Sequence, residues 1–373
     1  MLHILFLFFC SISFFTGCSR RKQLMQKQTF QHHFLYSQEQ EQAPVNDLMH
    51  EIVVFVHGTI IGIPSFILKD TSFRFQSPYI YQPIDGLGLK EISPTSSKNI
   101  GSLLAAHNYQ RLHTSIHGSN RKIHFFTYGW NGFLSAESRK HAGEELYLAL
   151  IHKRDEIQKE TSLPIDITLQ GHSHGGNVIA YLKEFELIHK KKLRINKVGL
   201  WGTPIQEETA TNWGSPVFNR IYHCYSKKDR VMTLDILSTK RHRSYRRFDK
   251  IYKIPDKISQ VELRVHNMHP THAELWFLGC INRFLYRKEF GLYPFPCIHL
   301  APAIFHAVDS VEKENKNIII NINNRNHAYQ LEVTPYSSMD TETTTSSQYI
   351  FQYNMIHGEP LQAFGHRFIN LAA

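Results

Sequence analysis

The pentapeptide Gly171-His172-Ser173-His174-Gly175 is the stretch of this chain best suited to chemistry. A serine hydroxyl is a weak nucleophile unless the fold presents it clear of its neighbours and a base removes its proton. The pattern G-x-S-x-G supplies the first condition. It puts the Ser on a sharp strand-to-helix turn, and the flanking glycines admit backbone where a β-carbon would not fit. The residues around it suit such a turn: Ile165–Leu169 (IDITL) reads as a strand leading straight into it. Val178, Tyr181, Leu182, Phe185 and Ile188 follow at helical spacing. Ser173 is therefore the candidate nucleophile, and the chemistry is acyl transfer to water through a covalent acyl-enzyme. Metal chemistry has less support. His172 and His174 lack carboxylates at ligand spacing, and Gly118 ends any helix that would carry the pair His113 and His117. Neither a metal nor a cofactor is expected.

Other segments must position this turn. Glu51–Val56 (EIVVFV) is a short apolar run closed by His57-Gly58, as in a buried parallel strand followed by a glycine turn. Lys122–Thr127 reads as a second strand, and residues 135–160 as a helix with Leu146, Leu150 and Ile157 on one face. Lys197–Trp201, Arg220–Tyr225 and Gln260–Val265 are further strands, and Thr271–Tyr286 is an amphipathic helix. Strand and helix alternate, which argues for an α/β fold: a mostly parallel sheet with helices on both faces. The tail changes character. Asn317–Asn323, Ala328–Val333 and Tyr349–Tyr353 read as strands of a small β appendage packed beside the main sheet.

Over roughly residues 50–290 the chain resembles lipases and esterases of the α/β-hydrolase superfamily. Ser173 stands in the turn that resembles their nucleophile elbow. His57-Gly58 after the first core strand resembles their oxyanion-loop HG, and Trp201-Gly202-Thr203-Pro204 their GTP turn. The residue after the nucleophile departs from the usual Met, Leu or Gln; His174 contributes only its backbone N–H, so the chemistry is unaffected. The resemblance implies a Ser-acid-His order. It puts the acid at Asp229 in the turn after Arg220–Tyr225, with Asp235 in reserve. It implies an oxyanion hole made by the backbone N–H groups of Thr59 and His174. The base comes from His266, His269 or His272. Thr271-His272-Ala273-Glu274 fits a capping box, which would seat His272 in the first turn of a packed helix, and His-Ala-Glu-Leu resembles the stretch around the lipase catalytic His. His272 is the expected base. The resemblance implies a carboxylic ester as substrate, lipids included. The same triad serves amidases and thioesterases, and a non-catalytic surface lipoprotein on this fold is the alternative of another class.

Composition bounds the rest. The chain has 373 residues, is 42% hydrophobic and carries a formal charge of +10. Eleven Lys/Arg against four Asp/Glu crowd between Lys227 and Lys257, but no zinc-finger spacing or aromatic RNA-binding motif accompanies them, so no specific nucleic acid is expected. Five Cys, of which Cys224, Cys280 and Cys297 lie in the body, are no disulfide framework.

Residues 2–15 are almost continuously apolar, short for a membrane span and of the length of a signal-peptide core. They end in Phe15-Thr16-Gly17-Cys18, which resembles the lipobox of bacterial lipoproteins and implies lipidation of Cys18 and attachment to the membrane of the cell envelope. Arg20-Arg21-Lys22 follow the apolar core and no Lys or Arg precedes it, an arrangement that also fits an uncleaved anchor. The expected organisation is a leader over 1–17, a tether over 18–48, a hydrolase domain over 49–300 and a β-rich extension over 301–373.

Overall fold

Ile52, Val54 and Val56 are buried in one hydrophobic cluster, while Val53 and Phe55 are buried in another. A strand with cores on both faces has no polar side, which is why EIVVFV runs apolar without alternation. The computed structural model describes residues 29–34, 48–59, 86–93, 100–231, 244–251, 253–276, 297–311, 317–325, 328–335 and 346–351.

The strands among these are β1 (Thr29–Phe34), β2 (Met49–Val56), β3 (Gly88–Glu91), β4 (Arg121–Gly129), β5 (Asp166–His172), β6 (Ile195–Trp201), β7 (Ile205–Gln206), β8 (Phe218–Tyr225), β9 (Ser244–Tyr245), β10 (Ile258–Val265), β11 (Asn317–Arg325), β12 (Ala328–Pro335) and β13 (Ser346–Phe351). Eleven of them form one sheet in the order β1-β13-β12-β11-β10-β8-β6-β5-β2-β4-β3, and β7 pairs with β9 in a short ribbon. From β4 across to β11 every neighbour is parallel. β3 closes one edge antiparallel to β4.

The α-helices of seven or more residues are α1 (Ile100–His117), α2 (Ala136–Ile157), α3 (His174–Ala180), α4 (Leu182–His189) and α5 (Ala301–Asp309). Ser135 caps α2 by accepting the N–H of Ser138, and Leu146, Leu150 and Ile157 are its buried stripe, as the sequence pattern predicts. α2, α3 and α4 cover one face of the sheet, and α1 and α5 cover the other.

Several expectations are corrected. The segment after Ser173 is two helices rather than one, broken at Tyr181, and Ile188 is exposed. Residues 271–276 hold only the 3-10 turn Ala273–Leu275, and 277–296 lie outside the described residues. The C-terminal strands do not pack beside the sheet. β11 pairs in parallel with β10 and then turns into an antiparallel run, so the extension prolongs the same sheet. α5 adds Ala301, Ile304 and Phe305 to the core that also holds Phe55 and Trp276. Thr29–Phe34, inside the segment read as a tether, forms an edge strand along β13. Residues 1–28, Cys18 with them, lie outside the described residues, and no described helix is long and apolar enough to cross a membrane.

Where α3 meets the end of β2, backbone leaves no room for a side chain. A β-carbon on Gly175 would lie 2.4 Å from the Val56 carbonyl oxygen and 2.5 Å from that of His57. Both obstacles are backbone, so neither yields cheaply. Gly175→Ala is expected to destabilise the protein by about 3 kcal/mol or more, the upper end for overpacking. A urea midpoint equal to that of the parent would show that α3 can retreat from β2.

Candidate active site

Ser173 sits between β5 and α3 with φ 50 and ψ −129, a backbone state that a non-glycine residue adopts at a cost of about 1–3 kcal/mol. Its neighbours hold it there. The Ser173 N–H donates to the Trp201 carbonyl at 3.0 Å, and the Ser173 carbonyl accepts from the Gly176 N–H at 3.1 Å. The turn expected from G-x-S-x-G is present with its strain.

The Trp201-Gly202-Thr203-Pro204 turn leaves β6, the strand beside β5. It is bound to the helix behind Ser173: the Asn177 side chain donates to the Pro204 carbonyl at 3.0 Å, and Thr209 donates to Asn177 Oδ1 at 2.8 Å. Gly202 has φ +60, and a β-carbon there would lie 3.0 Å from Asp229 Oδ2 and 3.1 Å from His272 Nδ1. The turn thus passes directly under the acid and the imidazole.

Asp229 lies beyond β8, only 1% exposed. Its Oδ1 accepts from the Val231 N–H at 3.0 Å, and its Oδ2 accepts from His272 Nδ1 at 2.7 Å. A carboxylate only accepts, so the proton of a neutral His272 is on Nδ1 and Nε2 is bare. The loop carrying His272 is anchored twice. Ser226 Oγ donates to the Pro270 carbonyl at 2.5 Å, and the Thr271 N–H donates to Glu274 at 2.5 Å, the return arm of the expected capping box. His269 instead lies 3.9 Å from Glu262, a carboxylate already held by Lys227 and Arg264. His266 has φ 48 and donates its backbone N–H to Ile322. Asp235 lies outside the described residues.

His174 follows Ser173 in the chain, and Thr59 follows the glycine that packs against it. His174 opens α3, where the first N–H groups have no partner within the helix. Thr59 follows Gly58, whose β-carbon position would be 2.7 Å from that of Ser173. Sequence reasoning missed what holds this loop. Trp130, just past β4, donates its backbone N–H to His57 Nε2 and its indole N–H to the His57 carbonyl, each at 2.9 Å. The two rings stack at 5.6 Å, and His57 Nδ1 is 2.6 Å from the Gly58 carbonyl. His57 is therefore neutral, with its proton on Nδ1. The one sequence signal was an aromatic directly after the strand beside His57-Gly58.

Among the described residues no group of three His, Cys, Asp or Glu side chains is placed to hold a metal ion. Cys224 and Cys297 are buried free thiols, and Cys280 lies outside the described residues.

No family model and no curated protein matches the chain. Two solved structures are similar over part of it. Esterase B from Lactobacillus Rhamnosis is 9% identical with a TM-score of 0.28, and an esterase from Rhizomucor miehei is 12% identical with a TM-score of 0.27. Each alignment covers 60% of this chain and 58% of the esterase. The fold class follows from the strand order and from the strand–Ser173–helix turn. It is α/β of the α/β-hydrolase type, a mostly parallel sheet flanked by helices, with a C-terminal β extension.

The site also fixes an acid sensitivity. Burial lowers His57 to a pKa of about 4, and it lowers His223, behind the Thr203 carbonyl, to about 4. The unfolded chain protonates both near 6.5. Their folded pKa values are depressed, so folding stability is unaffected above pH 6.5 and is lost as pH falls towards 4. The loss is about 2.5 kcal/mol for each ring by pH 4.5. His113, lowered to about 3, and His117 and His124, lowered to about 4, act in the same direction. Glu51, raised by burial, opposes them. The urea midpoint is expected to drop sharply between pH 7 and pH 4.5; equal midpoints would mean that these rings are not held neutral.

Proposed function

We propose that this chain is a serine hydrolase of carboxylic esters, lipid esters included, with Ser173 as nucleophile, His272 as general base and Asp229 as the acid that orients it. One observation carries the reading. Asp229 and His272 are hydrogen-bonded to each other over Gly202, on the strand adjacent to the one that ends in the strained Ser173.

The arrangement supports the following course. Ser173 Oγ attacks the ester carbonyl carbon as its proton passes to His272 Nε2. Asp229 stabilises the imidazolium through the Nδ1–H bond. The tetrahedral oxyanion accepts from the backbone N–H groups of Thr59 and His174. The intermediate collapses, His272 returns the proton to the leaving alkoxide, and the acyl group stays on Ser173. Water, deprotonated by His272, then attacks the acyl carbon; the bond to Ser173 Oγ breaks, His272 returns the proton to that oxygen, and the acid is released. Every proton moves through His272, so neither a metal nor a cofactor enters.

Ser173→Ala is expected to remove turnover of p-nitrophenyl esters by a factor on the order of 10⁶. Labelling of the parent protein by a fluorophosphonate probe is expected to vanish in the variant, with the urea midpoint kept. Near-parental turnover in the Ala variant would sink the assignment. An unlabelled, inactive parent protein would favour the non-catalytic reading. Esters, anilides and thioesters of rising chain length, compared side by side, rank the ester reading against amidase and thioesterase activity.

We further propose that the protein is a lipoprotein of the bacterial envelope, lipidated at Cys18. The support is the apolar run ending in Thr16-Gly17-Cys18. Cys18→Ser is expected to leave an unprocessed precursor without incorporated palmitate. Unchanged palmitate labelling would refute this, and an intact N-terminus on the parent would favour an uncleaved anchor.

A further inference from the structure

His172 is the last residue of β5, immediately before Ser173, and it is buried. It stacks on Trp276 with ring centres 5.2 Å apart and planes 11° apart. Its other neighbour is His272, with ring centres 4.6 Å apart at 39°. Trp276 in turn meets Phe55 edge-on at 6.4 Å, in the core of the sheet. Four rings on three separate segments therefore form one column. It runs from Phe55 on β2 through Trp276 and His172 to His272.

A hydrogen bond pins the top of that column. His172 Nε2 lies 3.2 Å from the His272 backbone carbonyl. A carbonyl only accepts, so His172 carries its proton on Nε2 and is a donor there. The other nitrogen, Nδ1, is buried with no hydrogen-bond partner among the described residues. It abuts the Gly58 backbone, where a β-carbon would stand 3.2 Å away. The ring is thus a neutral donor with one task. Burial and the neighbouring His272 push its pKa well below the ordinary value, so it does not compete for the proton.

We propose that His172 is a positioning residue for His272: its Nε2–H holds the backbone carbonyl of the base, and its ring, backed by Trp276, fixes one face of the base imidazole. The proposal rests on the reading of Ser173, His272 and Asp229 given above. The anchors at Pro270 and Thr271 hold the loop ahead of the base, and the Nδ1 bond to Asp229 holds only its ring. The carbonyl bond to His172 attaches the backbone of the base itself. It comes from the residue next to the nucleophile, so base and nucleophile are referenced to the same strand end. Displacement of a reacting group by about 1 Å can cost on the order of 10²-fold in rate.

Two variants separate the donor from mere filling of space. His172→Phe keeps a flat ring against Trp276 but cannot donate. His172→Gln places an amide N–H near the position of Nε2 but has no ring. The Phe variant is expected to lose about 10- to 100-fold in kcat for a p-nitrophenyl ester with KM nearly unchanged. The Gln variant is expected to recover most of that loss. Fluorophosphonate labelling should slow and recover in parallel, with urea midpoints confirming that both variants fold. A readout independent of turnover is the downfield proton resonance of the His272 Nδ1–H bound to Asp229. It should persist in the parent and the Gln variant and broaden in the Phe variant. A Phe variant with parental kcat and an unchanged resonance would overturn the proposal and leave His172 as packing. If the parent neither labels nor turns over esters, the hydrolase reading fails. In that case the resonance alone decides whether His172 positions His272, a broadened signal supporting it and an unchanged one refuting it.

Discussion

A serine with φ 50 cannot hold that conformation unaided, and most of the structure around it exists to hold it. The strand before it, the helix after it and the turn from the next strand all meet within a few ångströms. The elbow closes only because Gly175 lets α3 lie on the carbonyls that end β2, and because Thr203 fills the space beside Gly176. Ser173 donates to Trp201, and Asn177 reaches Pro204, so β5, β6 and α3 cannot shift separately. What that rigidity secures is a fixed position for one buried serine.

Charge is handled by the same economy of placement. Asp229 is buried, and each of its carboxylate oxygens accepts a hydrogen bond, one from the Val231 N–H and one from His272. A buried carboxylate is tolerable only when it is bonded in this way. The surrounding histidines are held neutral by burial instead. His57 serves as a hydrogen-bonded spacer between the end of β2 and Trp130. His172 and His223 are neutral for the same reason, while His272 in front of them keeps 17% of its side chain exposed.

The two ends of the sheet do different work. The proposed chemistry gathers where β5, β6, β8 and β10 finish. At the opposite end the strands are stitched by polar groups at their starts. Arg121 on β4 pairs with Asp166 on β5, which also accepts from Asn196 on β6 at 2.5 Å. Thr168 on β5 donates to the buried Glu51 on β2 at 2.7 Å. These bonds cross strand boundaries, so a slip of register would break them together with the apolar packing. The register in turn aligns the strand ends on which Ser173, Gly202 and Asp229 stand.

Local pattern determined a good part of this. A strand with both faces buried must be continuously apolar, and Glu51–Val56 could be read as one. The glycines around Ser173 leave little freedom for anything but a tight strand-to-helix turn, so the turn was visible in five residues. Thr271 and Glu274 bond each other across one turn, and for that reason the seat of His272 was legible in a tetrapeptide. What spacing cannot encode is contact between distant segments. Nothing local distinguishes Asp229 from any turn aspartate; its bond to His272, some forty residues on, exists only because β8 and β10 are neighbours. Trp130 meets His57 because β4 and β2 pair without being adjacent in sequence, and His172 meets His272 although two strands separate β5 from β10 in the sheet. The helix α1 lacks a strong amphipathic period, and α5 lies in the segment expected to be the extension. Both are in place because the second face of the sheet must be covered. A helix expected over 271–286 is a 3-10 turn where it is described, because the contacts of Leu275 and Trp276 with the core, not the period of the segment, set its path.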